Sequence, residues 1–544
     1  MKGIYRTGLV LAISSLVLSA CGGGGASSSP STPVVPPVPP VPPAPTVTVT
    51  SGNINRVQAV NTSLHIEVSA QTANFTPAGT PYASASDSDG LMQSAVAVTA
   101  GSNGNYTFAL DTQATKASGH YTGKLTIKLC SDAACATALA VPSISVPYDV
   151  TVHGMDNAWP GDKLTALVPW DGVADWSTFQ GNNAHTGYVP VEIKVDQMQL
   201  RWKRGAINNS NSGYNAGISP LVTANGRYYA SGDKKLTAYQ ESDGKALWSY
   251  DTSGLRYPNA NPPAIDKGVV YFAAGQQDST YLIGLDALDG SVRMKSAMSS
   301  QWSNYLPPIV QDGAIYANSG TYGGIYGFAS SGDRLFFQSL SQTSTWSPAS
   351  DGRSIFAYTG DALTIFEPKT GAVQTTIRDS NFTNYVYEVG GAAVVGANGG
   401  VYAAAYANGY LNGGGIGNTL MRFDTAKGFL DWRVAGVYRV TPAYADGVLY
   451  APNFNPYRLE ARAEADGKLL WSWVPPLGGE VSFHASPVVT KNLLFISTNL
   501  NTYALDLKTR KVVWSYPAVG YLAISASGLL YIQSPDALVT VNLK

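Results

Sequence analysis

Five histidines, three cysteines and 36 aspartates and glutamates are the groups with which this chain of 544 residues could do acid–base or metal chemistry. Their spacing offers little of it. His65, His120, His153, His185 and His484 are scattered, without the paired histidines that hold a catalytic zinc on a helix. Cys130 and Cys135, in KLCSDAACA, have a spacing that suits a disulfide across a hairpin tip. A metal half-site is the alternative, but no second pair of ligands follows. SDSDG at 86–90 opens like a calcium loop, yet the glutamate needed at the twelfth position is Val96 or Val98, so a plain turn is expected. NGGGIGN at 412–418 lacks the strand–helix–strand surroundings of a dinucleotide loop, and no G-x-S-x-G nucleophile elbow occurs. His185, in NNAHTGY, reads as structural. From these residues neither an enzyme activity nor a cofactor is expected.

The N-terminus sets the compartment. MKGIYRTGLVLAISSLVLSAC places Lys2 and Arg6 before an apolar run too short for a permanent span. Its end, Leu18-Ser19-Ala20-Cys21, resembles the bacterial lipobox, which implies that residues 1–21 carry the signal and that Cys21 is acylated. Multiple acyl chains anchor stably where one does not. Gly22 stands where an inner-membrane retention aspartate would, so the resemblance implies an outer-membrane lipoprotein facing the periplasm or the cell surface. Residues 22–45, GGGGASSSPSTPVVPPVPPVPPAP, cannot bury a core and read as a stalk; polyproline II spacing of about 3.1 Å per residue gives it a reach of about 75 Å. With a net charge of −1 the chain has no basic surplus for nucleic acid.

Residues 46–153 alternate in strand fashion, as in SLHIEVSA, NYTFALD and GKLTIKLC. Six or more short strands between Gly, Asn and Ser turns predict an immunoglobulin-like sandwich, followed by a linker over 154–175. From 176 to 544 two markers recur in phase. One is a turn glycine with an aromatic four residues on: Gly244 with Trp248, Gly428 with Trp432, Gly467 with Trp471. Arg510 and Met198 take the glycine place before Trp514 and Trp202, and Gly290 is a weaker copy before Met294. The other is a proline after a small residue or another proline, some 23 to 27 residues earlier, as at Ser219-Pro220 and Ser486-Pro487. The repeat lengths, between 39 and 57 residues, are those of four-stranded propeller blades. Seven units are complete; the last supplies three strands and lacks a fourth, which MQLRWKR at 198–204 provides. The expected fold is therefore all-β, an eight-bladed propeller closed by its N-terminal strand and preceded by the sandwich. The glycine takes a left-handed turn and the Trp fills the wedge between blades.

FDTAKGFLDW, LDLKTRKVVW and AYQESDGKALW resemble the pyrroloquinoline-quinone-type (PQQ-like) propeller repeat, and WSTFQGNNAHTGY at 176–188 looks like the usual start of such domains. The resemblance implies one of two functions. Quinoprotein dehydrogenases hold the quinone with a vicinal disulfide ring, Ca²⁺ and an Asp base, but this propeller has no cysteine and only compact blades, and Asp286, Asp424 and Asp506 sit at the turn position of the repeat. Non-catalytic lipoprotein propellers, exemplified by the BamB component of the outer-membrane β-barrel assembly machinery, match the lipobox and the blade count. They imply a scaffold that binds other envelope proteins or peptides; the stalk and the N-terminal sandwich are departures from that pattern. A surface adhesion or glycan-binding module is the rival. Tyr214, Tyr257, Trp302, Tyr305, Trp346, Tyr385 and Tyr387 lie in or near loops that lead into the first strands of blades, where they either form a ligand face or cap the blade cores.

Overall fold

Alternating apolar and polar residues make strands almost everywhere in the part of the chain that the computed structural model describes. Those residues are 42–59, 63–117, 119–153, 164–207, 220–232, 234–343, 346–379, 391–405, 419–477 and 479–544. The signal and most of the stalk, with Cys21, lie outside them.

The N-terminal module is built from β1 (Thr46–Val49), β2 (Ile54–Ala59), β3 (His65–Ala73), β4 (Tyr82–Ser86), β5 (Ala95–Ala100), β6 (Asn105–Asp111), β7 (Gly119–Cys130) and β8 (Ile144–His153). Strict alternation drives each strand: β3 buries Ile66, Val68 and Ala70 and exposes the residues between. In place of an immunoglobulin-like pair of sheets there is one continuous sheet, ordered β1-β3-β6-β5-β4-β7-β8-β2. The reason is β5, which pairs with β6 on one side and β4 on the other, so the sheet curls into a nearly closed barrel. Val68, Phe108, Leu125 and Val150 fill it. Cys130 and Cys135 form a disulfide at the end of β7. In SDSDG the Asp87 carboxylate accepts the backbone N–H groups of Asp89, Leu91 and Met92, so it caps its own turn.

Eight four-stranded antiparallel sheets follow. Blades 1 to 7 begin at Val222, Ala264, Ile309, Ala349, Val394, Ala443 and Val488. Blade 8 takes three strands from Tyr521–Asn542 and its fourth from β9 (Gln199–Gly205), as the strand count required. Closing the ring with strands from both ends of the domain removes the open edges between first and last blades. The second half of the expected linker belongs to the propeller. Leu167, Trp170 and Val173 pack on the blade 8 core, and Arg201 donates to the Thr165 carbonyl at 2.8 Å. Residues Pro45–Lys544 form one compact unit, in which β7 and β8 of the barrel pack against the fourth strand of blade 7.

The glycine and the aromatic of the first sequence marker interlock between blades. The indole N–H of Trp202 donates to the Glu241 carbonyl at 2.8 Å, Trp248 to Ala287 at 3.2 Å and Trp432 to Glu464 at 2.9 Å, in each case three residues before the turn glycine of the next blade. The glycine then lies against that ring. A Cβ on Gly290 would stand 2.6 Å from the Trp248 ring, and one on Gly467 2.8 Å from Trp432. Trp471 has Arg510 in the facing position, its guanidinium over the ring at 5.9 Å, and Trp514 packs with Met198 in the blade 8 core.

Candidate binding face

The innermost strand of every blade offers backbone N–H and C=O groups to the central axis, where they need partners. The segment 176–191 supplies them by winding once around the axis in blade order. The Trp176 carbonyl accepts Thr223 N–H of blade 1 at 2.9 Å, and Ser177 accepts Ile265 of blade 2 at 2.7 Å. Asn183, Ala184, Thr186 and Gly187 then accept Ser350, Val395, Tyr444 and Val489 of blades 4 to 7, at 2.7 to 2.9 Å. Blade 3 is held by side chains, Thr178 donating to the Pro308 carbonyl and Asn183 to Val310.

The proline marker now has a role. Carbonyls of Pro308, Pro348 and Pro487 point inward and receive Thr178, His185 and Gln180. His185 is fully buried between two carbonyls, Phe179 at 2.6 Å from Nδ1 and Pro348 at 2.7 Å from Nε2. Burial pushes its pKa below the ordinary histidine value, against the pull of those two oxygens. Gln180, Gly181, His185 and Gly187 all have left-handed φ, between 53° and 87°, which lets so short a segment turn within the channel. The axis is thus filled by the chain itself.

With the axis filled, what the propeller offers to other molecules is its loop face and its rim. On the face formed by the loops into first strands and the second-to-third-strand turns, four large apolar side chains among the described residues stand in solvent: Tyr322, Val474, Val481 and Leu500. Val474 and Val481 lie on the loop between blades 6 and 7, and Leu500 lies on the second-to-third-strand turn of blade 7 that braces it. Buried Glu480 accepts Leu477 N–H at 3.0 Å and the Thr498 hydroxyl at 2.5 Å. Asn499 accepts Val481 N–H at 2.9 Å and donates to the Gly479 carbonyl at 2.9 Å. Blade 6 beneath is cross-linked in a similar way: fully buried Glu460 accepts Tyr438 at 2.7 Å, Asn453 at 3.2 Å, and both Arg458 and Arg462 at 2.7 Å. Burial works against that carboxylate, but Tyr438, Arg458, Asn453 and Arg462 together hold its pKa below the usual value.

Residues 191–377 and 379–521, more than half of the chain, match the family model described as outer membrane protein assembly factor BamB. The chain belongs to the BamB family. No curated protein matches it. Among solved structures it is similar to BamB from Moraxella catarrhalis, with 16% identity and a TM-score of 0.48 over 63% of this chain and 97% of that one. It is also similar to the computationally designed Ika8 protein, with 12% identity and a TM-score of 0.48 over 63% of this chain and 100% of the other.

The aromatic residues expected on this BamB-family propeller's ligand face divide. Tyr305 and Trp346 are buried and cap blade cores, the Tyr305 hydroxyl donating to Trp302 O, so these two do not form a ligand face. Their sequence positions gave no sign of this, because loop and core lie one residue apart at the entry to a first strand. Tyr257 and Trp302 are half-buried; Tyr257 donates to Gln277 Oε1 at 2.8 Å and carries Arg256 over its ring. Tyr214, Tyr385 and Tyr387 lie outside the described residues. The axial winding of 176–191 was not anticipated. Its clue was available in the two glycines and the histidine of WSTFQGNNAHTGY.

Proposed function

We propose that this chain is a non-catalytic outer-membrane lipoprotein whose propeller binds other envelope polypeptides during outer-membrane protein or envelope assembly. The observation that carries the reading is the filled axis: the place where a propeller would seat a central cofactor holds residues 176–191, hydrogen-bonded to the inner strands of successive blades. Membership of the BamB family and the apolar side chains held out on a braced loop support a protein-binding role. The burial of Tyr305 and Trp346 counts against a glycan platform. Acylation at Cys21 would tether the scaffold, with the stalk setting its distance from the lipid.

The test is affinity capture of the lipidated protein from solubilised envelopes after mild crosslinking. Recovery of outer-membrane assembly proteins is expected, with Val481→Lys recovering several-fold less. Capture of no envelope protein above a Cys21→Ala control would defeat the reading. In parallel, saturable binding of quinone with calcium, coupled to alcohol oxidation, would reverse the non-catalytic assignment.

A further inference from the structure

Each blade ends in a fourth strand whose outer edge has no neighbour within its sheet, and such edges attract other strands unless charge or cover prevents it. Six of the eight carry charge in solvent. Asp251, Arg293, Arg334, Arg378, Asp431 and Lys203 stand exposed on the fourth strands of blades 1 to 5 and 8. Only two fourth strands among the described residues have no charged residue: Leu469–Trp473 of blade 6, LLWSW, and Val512–Tyr516 of blade 7, VVWSY. They are near-copies on adjacent blades, and the structure treats them oppositely. In blade 7 the strand is covered by β7 and β8 of the barrel, and Val512 is 4% exposed. In blade 6 it is bare, with Leu469 42% and Leu470 49% exposed, and Val474 continues the apolar line at 60%.

We infer that the fourth strand of blade 6 is a docking edge for an extended, uncharged, apolar β-strand of another polypeptide. The covered twin beside it indicates the occupant: one of the two uncharged fourth strands is packed against by β-strands, β7 and β8, which remain in their own sheet, and the other has no such cover among the described residues. Strand addition draws affinity from main-chain hydrogen bonds and selectivity from alternate side chains, and Leu470, Ser472 and Val474 lie on alternate positions facing outward. A charged strand would be penalised by the aliphatic side chains that it must cover. Beyond the strand's end, Val481 of the blade 6–7 loop and Leu500 of the adjoining blade 7 turn are also exposed.

This inference rests on the protein-binding reading, and its test can fail separately. The full mature chain in detergent is titrated with a capped eight-residue peptide of alternating valine and threonine, and with a control that has aspartate at alternate positions. Binding of the first peptide should slow amide exchange in residues 469–473 and leave 512–516 unchanged. Leu470→Lys should weaken it at least tenfold, while Leu247→Lys at the matching position of blade 1 has no effect. Ser472→Lys, at an exposed position, replaces Leu470→Lys if that variant fails to fold. Absence of peptide binding, protection elsewhere, equal binding of the aspartate control or wild-type binding by the lysine variants overturns the proposal. Self-association through this edge, abolished by Leu470→Lys without any peptide binding, also overturns it. Undiminished envelope capture by Leu470→Lys would remove this edge and leave the scaffold reading standing.

Discussion

At the scale of single residues, the repeat is a lock between neighbours, and its eroded copies test the idea. Gly467 and Gly428 have nearly the same left-handed φ, 69° and 76°. Around Gly467 a Cβ would meet Trp432, whereas around Gly428 nothing stands within 4 Å, because the preceding blade has Thr375 where the others have an aromatic or Met. Alanine at either position carries left-handed strain of about 1 to 2 kcal/mol. Only Gly467→Ala adds overpacking, typically about 1 to 3 kcal/mol. Apparent melting temperatures should therefore fall further for Gly467→Ala than for Gly428→Ala, and equal shifts would mean that the turn conformation alone matters. The four-residue spacing of glycine and Trp was plain in the sequence, as was the Trp's place between blades. That Trp202, Trp248 and Trp432 lock onto the glycine of the following blade was not, because spacing within a repeat carries no information about which copy meets which.

At the scale of elements, blade count, strand order and closure by β9 were legible because the markers keep phase over eight copies. Two things were hidden. The N-terminal strands were recognisable from alternation, but whether β5 joins two sheets into one depends on pairing partners, which alternation does not encode. The axial segment was hidden because most of its bonds come from backbone carbonyls, and these leave no mark on residue type. Where side chains are constrained, the mark is visible and testable. A Cβ on Gly187, at φ 62°, would lie 2.9 Å from the Pro487 carbonyl and 2.7 Å from Gln180 Nε2. Gly172, at φ 67°, has nothing within 4 Å. Gly187→Ala should lower stability by about 2 to 5 kcal/mol, strain and overpacking together, and Gly172→Ala by about 1 to 2. Limited proteolysis should then cut Gly187→Ala between blades sooner than the wild type. Equal resistance would show that the axial segment does not hold the ring.

At the scale of the whole molecule, the ring is held shut where blade 8 meets blade 1, and that seam carries a titratable group. Three residues of β9 grip the turn between the third and fourth strands of blade 1: Arg201 donates to the Ser242 carbonyl at 2.9 Å, Trp202 to Glu241 and Arg204 to Asp243. Across the seam the Tyr531 hydroxyl donates to Glu241 Oε1 at 3.0 Å, and the Glu241 side chain is buried. Burial, helped by Asp175, raises the Glu241 pKa above the ordinary carboxylate range, against the hydrogen bonds that it accepts. A carboxyl that binds its proton more tightly when folded contributes stability that is fully present below its unfolded pKa and is lost as pH rises through the folded one. The seam should therefore weaken as pH rises above the ordinary carboxylate range, the reverse of the trend set by Glu460, whose lowered pKa makes its contribution fail in acid. Glu241→Gln keeps an oxygen for Tyr531 and has no proton to lose. Its melting temperature relative to wild type should rise with pH, and the rise should persist or steepen in the Tyr531→Phe background, because the hydrogen bond from Tyr531 favours the ionised carboxylate. A variant whose melting temperature differs from wild type by the same amount at every pH would show that Glu241 has the same pKa folded and unfolded and that closure does not sense pH.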